Sequence, residues 1–396
     1  MWHTRGLLVP ILTVISKTML LNSPVYNIDH TCEWYMIAAC LCFSSQIFYS
    51  KFRKWCFLFI FAFLSLLHKF DYPKNMRAKP FIKWVGGKGQ LLSQLDALLP
   101  PQIDGRPFTY IEPFVGGGAM LFHMLSNHPE IRQAYINDIN SHLVTAYRVI
   151  KERPKELIER LLAIENKYFA LSDEESKKAF YLDAREVFNE DKLDDIDRTK
   201  YLLFLNRTCF NGLYRENAKG KFNVPFGRNL HPTICNAETI MADSEALNRA
   251  NVTFLHGDFS ETINYLDDNG MNFVYFDPPY RPLNATSSFN SYVKEEFDDD
   301  EQIRLRDYAR ELDERHEVYW MLSNADCSAK NPEDTFFEDI YDGFFINRVY
   351  ASRAINADPT KRGKLTELLI CNYVPENYGL LAAELQVPDN QLALAL

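Results

Sequence analysis

The chain has 396 residues, 47% hydrophobic and 14% aromatic, a globular composition with enough apolar side chains for one sizeable domain or two. Its formal net charge of -10 argues against a protein that coats nucleic acid indiscriminately, although a sum of that kind hides local patches. Two segments, Arg207 to Arg228 and Asn347 to Lys364, are basic, while acid gathers in Ser172 to Asp197, which reads as one helix, and in Glu295 to Glu301.

Residues 1–75 differ in kind from the rest. Trp55 to Leu67 is an apolar run between Lys54 and His68, short against the ~20 residues that a bilayer core requires, and no convincing small-residue cleavage site follows it. Two readings stay open: a membrane anchor, or an upstream extension ahead of a translation start at Met76, which is the simpler. Of eight cysteines, Cys32, Cys40, Cys42 and Cys56 fall in this leader, and Cys209, Cys235, Cys327 and Cys371 are scattered without metal-ligand spacing. A reduced, cytoplasmic protein without zinc is expected, with membrane association only if the leader is real.

Thr109 to Glu112 reads as a strand, Pro113 to Gly118 as a glycine-rich turn and Ala119 to Leu125 as the helix after it, the start of a βα unit. A second strand, Arg132 to Ile136, leads to Asp138, about 20 residues beyond the glycines, where nucleoside-binding Rossmann folds place an acid for ribose hydroxyls. Helical periodicity runs from Leu143 to Asn189 and from Tyr201 to Leu205, before a polar stretch ending near Pro232. Strands resume with Val252 to Leu255, Phe273 to Phe276, Val318 to Leu322, Arg348 to Ala351 and Leu365 to Tyr373, with Asp299 to Leu312 a helix between. The pattern predicts an α/β sheet interrupted by roughly a hundred residues, too long for a simple loop and therefore a second lobe. The expected divisions are 76–142 for a first sheet part, 143–250 for the insert, 251–375 for a second sheet part and 376–396 for a tail.

Asp277, Pro278, Pro279 and Tyr280 close the strand Phe273 to Phe276. Two prolines restrict the backbone, so the Asp277 carboxylate and the Pro278 carbonyl form a pair of fixed acceptors suited to an NH2 group. An aromatic amine is a poor nucleophile because its lone pair is spread into the ring; accepting both its protons draws the lone pair back onto nitrogen. Tyr280 offers a flat face for the ring that carries the amine. An ordinary turn ending a strand is the plainer alternative. Glu112, Pro113, Phe114, Gly116 and Gly118 suit any nucleoside cofactor, a nicotinamide one included. Their company discriminates: Trp84 and Lys88 upstream, and Asp258 and Phe259 in the turn after Leu255. S-adenosylmethionine offers a carboxylate for Lys88 or the loop amides, ribose hydroxyls for Asp138 and an adenine amine for Asp258.

At these blocks the sequence resembles the Dam-type DNA adenine-N6 methyltransferases, in particular members that modify GATC. Lys83 to Lys88, Glu112 to Gly118, Asn206 to Arg228, Gly257 to Phe259 and Asp277 to Tyr280, the last extending to Thr286 through Phe289, occur in the family's order. The resemblance implies a Rossmann-like, S-adenosylmethionine-dependent methyltransferase fold with an inserted, mainly helical target-recognition lobe bearing a hairpin. It also implies a flipped-out adenine in double-stranded DNA as substrate. In that family the positions matching Asn211, Leu213, Arg215 and Pro225 face the bases. Arg215 is suited to a bidentate pair with guanine, and Lys219, Lys221 and Arg228 to phosphates; an exposed hairpin whose arginine pairs with Glu216 is the alternative. Arg353, Asn356, Lys361 and Arg362 look like the family's basic segment before its closing strands.

The rival functions are the same chemistry on RNA or a protein glutamine, and a sequence-specific DNA-binding protein that has lost catalysis. A monomer is the default expectation, and a cognate restriction endonuclease acting on the same site, without direct contact, is a candidate partner.

Overall fold

The computed structural model describes residues 77–190, 192–229, 231–281, 297–352 and 364–375. The leader, the Thr286 to Phe289 extension, the basic segment with Arg353, Asn356, Lys361 and Arg362, and the tail from 376 lie outside them. Among the described residues, no helix is long and apolar enough to cross a membrane.

The described strands are β1 (Phe108–Glu112), β2 (Ile131–Asp138), β3 (Val252–His256), β4 (Met271–Phe276), β5 (Val318–Ala325), β6 (Phe345–Ser352) and β7 (Lys364–Cys371). They form one sheet in the order β3-β2-β1-β4-β5-β7-β6. The first five run parallel, and β7 enters antiparallel to both β5 and β6. β4 is buried on both faces, which explains why it is apolar without alternation from Phe273 to Phe276. Met271, Phe273 and Tyr275 point into one core with Tyr110 and Met321. Val274 and Phe276 point into the other with Ile111, Trp320 and Leu322.

Helices α1 (Leu92–Ala97), α2 (Ala119–Asn127) and α3 (Ser141–Glu152) accompany the first two strands. Then come α4 (Pro154–Phe169), α5 (Glu174–Phe188), α6 (Asp195–Thr208) and α7 (Ala237–Arg249), all before β3. Tyr168 of α4 and Phe204 of α6 belong to the same continuous core as Phe273 and Tyr275 of β4. The second face is covered by α8 (Asp299–Asp313), through Leu305, Ala309 and Leu312.

The acidic stretch Ser172 to Asp197 is two helices rather than the single one expected. Asp173 caps α5 by accepting the Ser176 amide, and Asp194 caps α6 by accepting that of Asp197. Between them, the Asn189 side chain is held by another segment: its Oδ1 accepts the Phe222 amide at 2.8 Å and its Nδ2 donates to the Phe222 carbonyl at 3.1 Å. The same physics breaks the periodicity after Leu143, where Pro154 starts a new helix at a first-turn position.

Phe222 belongs to an irregular hairpin after α6. Cys209 pairs with Phe226 and Glu216 with Phe222, and the tip closes where the Asn217 amide donates to the Lys221 carbonyl. Its inner side is fastened by Asn189 and by Tyr181, whose hydroxyl donates to the Val224 carbonyl at 2.7 Å.

Candidate active site

The chain turns to opposite sides of the sheet from β1 and β4, which are neighbours, and the carboxyl ends of two such strands are where open α/β sheets form the crevice that takes a ligand. Into that edge run the loops after β1, β2, β3 and β4, carrying Glu112 to Gly118, Asp138, Asp258 and Asp277 to Tyr280. Asn137, buried at the end of β2, links two of them by donating to the carbonyls of Pro113 and Gly257, each at 3.0 Å.

A charged cluster forms the floor. Lys88, 4% exposed, places its Nζ 2.8 Å from Asp277 Oδ1 and 3.9 Å from Glu367 Oε2, and donates to the Gly86 carbonyl. The same ammonium lies 4.5 Å from the centre of the Tyr280 ring, and the Tyr280 hydroxyl donates to Glu367 Oε2 at 2.7 Å. Burial pushes the Asp277 carboxyl up to about 6; Lys88 opposes that rise and Glu367 adds to it. Glu112 is pushed well above the ordinary carboxylate range, first by burial and then by the Asp277 and Asp138 charges, while the Tyr110 hydroxyl, donating at 2.8 Å, works against the shift.

The turn after β4 is held from outside. The Pro279 carbonyl accepts from Gln302 Nε2 of α8 at 3.0 Å, and Gln302 Oε1 accepts from Asn324 of β5. Arg281 is clamped by Asp299 and Asp334 and lies over the Phe336 ring. None of the hydrogen bonds among the described residues uses the Pro278 carbonyl. One acceptor of the expected pair therefore meets no described donor, and the other is paired with a lysine.

The loop after β1 winds around Trp84. Gly116, at φ +49°, sits where a side chain is strained and its Cβ would crowd the Trp84 ring at 3.0 Å; at Gly118, at φ +75°, a Cβ would stand 2.3 Å from the Tyr147 hydroxyl oxygen. Asp138 is already aimed: its Oδ2 accepts the Gly116 amide at 3.0 Å and its Oδ1 the Asn140 amide at 2.9 Å, while burial raises its pKa. Phe114 packs on Phe259, with ring centres 5.2 Å apart. Asp258 takes both guanidinium nitrogens of Arg304, at 2.8 and 2.7 Å, and that pairing is the main reason its pKa falls to about 2.

A family model described as D12 class N6 adenine-specific DNA methyltransferase matches residues 84–355, spanning every loop just described. The chain belongs to that family. Among curated relatives, the Type II methyltransferase M.MjaIII of Methanocaldococcus jannaschii is 46% identical over 302 residues, 75% of this chain and 100% of the relative. The Type II methyltransferase M1.LlaDCHI of Lactococcus lactis subsp. cremoris is 37% identical, covering 78% and 99%, and the DNA adenine methylase of Haemophilus influenzae is 32% identical, covering 75% and 94%. This chain is an adenine-specific DNA methyltransferase.

In the methyltransferase, the expected DNA-facing residues lie on the hairpin. Asn211, Lys219, Lys221, Pro225 and Arg228 are exposed, whereas Leu213 and Arg215 are half-buried. Arg215 Nε donates to Asn223 Oδ1 at 2.8 Å, Glu216 accepts the Tyr214 hydroxyl, and Arg228 reaches Glu174 at 3.3 Å. Asn206 ties the hairpin to the segment before α1: it accepts the Lys83 amide and donates to the carbonyls of Lys83 and Gly212, while Tyr214 stacks on Trp84 at 5.1 Å. The residues brought together in the floor are Lys88, Asp277 and Tyr280; Asp258 is engaged apart from them, with Arg304.

Glu367, Gln302, Asn324 and Arg304 escaped the sequence reading. Glu367 carries no local signal, being one polar residue in the strand Lys364–Cys371. Only the antiparallel entry of β7, which pairs Glu367 with Ala325 at the carboxyl end of β5, brings it to the crevice.

Proposed function

We propose that this methyltransferase moves the methyl group of S-adenosylmethionine to N6 of an adenine extruded from duplex DNA, within GATC. The observation that carries the reading is the turn after β4: Asp277 and the Pro278 carbonyl supply two acceptors beside the Tyr280 ring, at the crevice that also takes the loop after β1. The Asp277 carboxylate and the Pro278 carbonyl accept the two amino protons, concentrating the lone pair on nitrogen, and Tyr280 stacks on the base. Positioning and electrostatics then do most of the catalysis, without a covalent enzyme intermediate.

The residues fit the cofactor. Gly116 and Gly118 leave that part of the loop without side chains, Asp138 is pre-aimed by two amides with lone pairs left for ribose hydroxyls, and Phe114 and Phe259 offer an apolar wall. Trp84, Glu112, Pro113 and Asp277 complete the set. Lys88 is engaged with Asp277, and the Val115, Gly116 and Gly118 amides with Asn137, Asp138 and Val115, so the methionine carboxylate must share one of these donors or take the Gly117 amide, and Asp258 must share an oxygen with Arg304 to reach an adenine amine. Bound, S-adenosylmethionine supplies an electrophilic methyl group on sulfur.

The segment between β2 and β3 acts in this reading as the target-recognition lobe, with Asn211, Leu213, Arg215 and Pro225 toward bases and Lys219, Lys221 and Arg228 toward phosphates. Two relatives are named Type II methyltransferases, which supports a cognate restriction endonuclease acting on the same site. The test is transfer of labelled methyl by the full chain to duplexes with GATC or the same bases shuffled, beside RNA and peptide controls. Label only in GATC is expected; label in RNA or peptide alone, or in no substrate, overturns the reading.

A further inference from the structure

We infer that Glu367 is a positioning residue for methyl transfer, fixing the Tyr280 ring through its hydroxyl and offering Lys88 a second carboxylate, so that Asp277 is free to accept a target amine. The inference rests on the roles proposed above for Asp277 and Tyr280.

The geometry has two parts. Tyr280 is anchored at its far end: its hydroxyl donates to Glu367 Oε2 at 2.7 Å. A phenol held at its far end by a charged acceptor loses most of its freedom to swing, and charge-assisted hydrogen bonds of that kind are the stronger ones. The ring is thereby held in place before any base arrives. A stacking platform that must first be ordered costs part of the stacking energy, whereas one already held does not.

The second part concerns Lys88. Its ammonium occupies Asp277 Oδ1 at 2.8 Å, the carboxylate that the target amine needs, and Glu367 Oε2 lies 3.9 Å from the same ammonium. Lys88 is almost wholly buried, so leaving Asp277 without a new partner would strand a charge in a poorly hydrated site. A shift of about 1 Å toward Glu367 exchanges one carboxylate for another and keeps the ammonium paired throughout. Glu367 sits half-buried where the antiparallel β7 begins, across from Ala325 and Val349, on a strand that the sheet holds rigid.

The titratable and charged groups around Asp277 come from every neighbouring element: Lys88 from the loop before α1, Glu112 and Tyr110 from β1, Tyr275 from β4, Tyr280 from its own turn and Glu367 from β7. Of these, Glu367 is the negative group that also touches Tyr280, so neutralising it has a signature distinct from a general loosening of the sheet.

The test compares full-length wild type with Glu367→Gln. The amide oxygen still accepts the Tyr280 hydroxyl, but the charge that receives Lys88 is gone. The expected result is a kcat lower by about ten- to a hundredfold with KM for a GATC duplex within about twofold. The acidic limb of the kcat profile moves to lower pH, because a negative neighbour of Asp277 is removed. Without cofactor or DNA, the loss of melting temperature between pH 4 and 6 that Asp277 imposes is smaller in the variant. A wild-type kcat with an unmoved limb overturns the inference, as does a loss confined to KM and melting temperature. Tyr280→Phe, which leaves Glu367 in place, covers the case in which the amide variant does not fold. It is expected to lower kcat with the limb unmoved, and full kcat in that variant refutes the anchoring role. Absence of methyl transfer by wild type would instead defeat the proposed function, so the two failures are distinguishable.

Discussion

Replacing Lys88 by methionine keeps much of the side-chain volume but takes the ammonium from between Asp277 and Glu367. At 2.8 Å and an effective dielectric of about 20, its attraction to Asp277 is about 6 kcal/mol gross. Part of that is offset by no longer burying a lysine, and one-sided removal of a buried pair costs about 3–5 kcal/mol in general. If half of the gross attraction reaches the Asp277 titration, at ~1.4 kcal/mol per pKa unit, the carboxyl rises from about 6 by about two units. An acid with a higher pKa folded than unfolded binds an extra proton in the native state between the two values, so stability falls as pH rises across that window. In the wild type the window runs from 3.8 to about 6, and in Lys88→Met it extends to about 8. Two assays read this: single-turnover methylation of a GATC duplex from pH 5 to about pH 9, and melting of the protein alone at pH 6 and 8. The acidic limb of the rate is expected to move up by about two units, and the variant's melting deficit to grow between those pH values. An unmoved limb together with a deficit independent of pH would refute the claim that Lys88 sets the charge of Asp277.

Asp277→Ala is expected to abolish turnover while keeping most cofactor affinity by calorimetry, and strong residual methylation would remove Asp277 from the mechanism. Arg215→Ala should cost about 1–3 kcal/mol of discrimination in favour of the cognate duplex with cofactor affinity unchanged, read as relative rates on GATC and single-base variants. Gly118→Ala puts a Cβ 2.3 Å from the Tyr147 oxygen on a left-handed backbone, for an expected loss of about 2–5 kcal/mol in urea unfolding. Adding Tyr147→Phe removes the hydroxyl and should restore part of that loss; no recovery would refute the steric account. Asp258, depressed to about 2 by Arg304, contributes stability that is present above about pH 4 and lost as pH falls toward 2. Arg304→Met should therefore melt lower than wild type at pH 6 and nearly equal to it at pH 2, with an equal deficit at both refuting the pairing.

Asp277, Pro278, Pro279 and Tyr280 were readable because their chemistry is local: four consecutive residues set two acceptors and a ring on a backbone that proline restricts. The same holds for Glu112 to Gly118 followed by a helix, and for Asp138 beyond it, since a βα turn is written in adjacent residues. β4 was found from its apolar run Phe273 to Phe276, because a parallel strand buried on both faces need not alternate with polar residues. Ser172 to Asp197 reads as one helix although Asp194 is a local cap within it; the contact that holds the break, Asn189 binding Phe222, spans 33 residues.

The residues that complete the site were of that second kind. Glu367 lies 87 residues from Tyr280, and Asp258 and Arg304 are 46 apart. A carboxylate's partner is chosen by which strand ends and helices the fold sets side by side, and pair energies fall off over a few ångströms. Residue order alone therefore determined the type of chemistry and the sheet that supports it. Only the tertiary structure decided that Lys88 lies between two carboxylates and that Tyr280 is held by the third strand beyond β1, because those contacts depend on distance in space and leave no period in the chain.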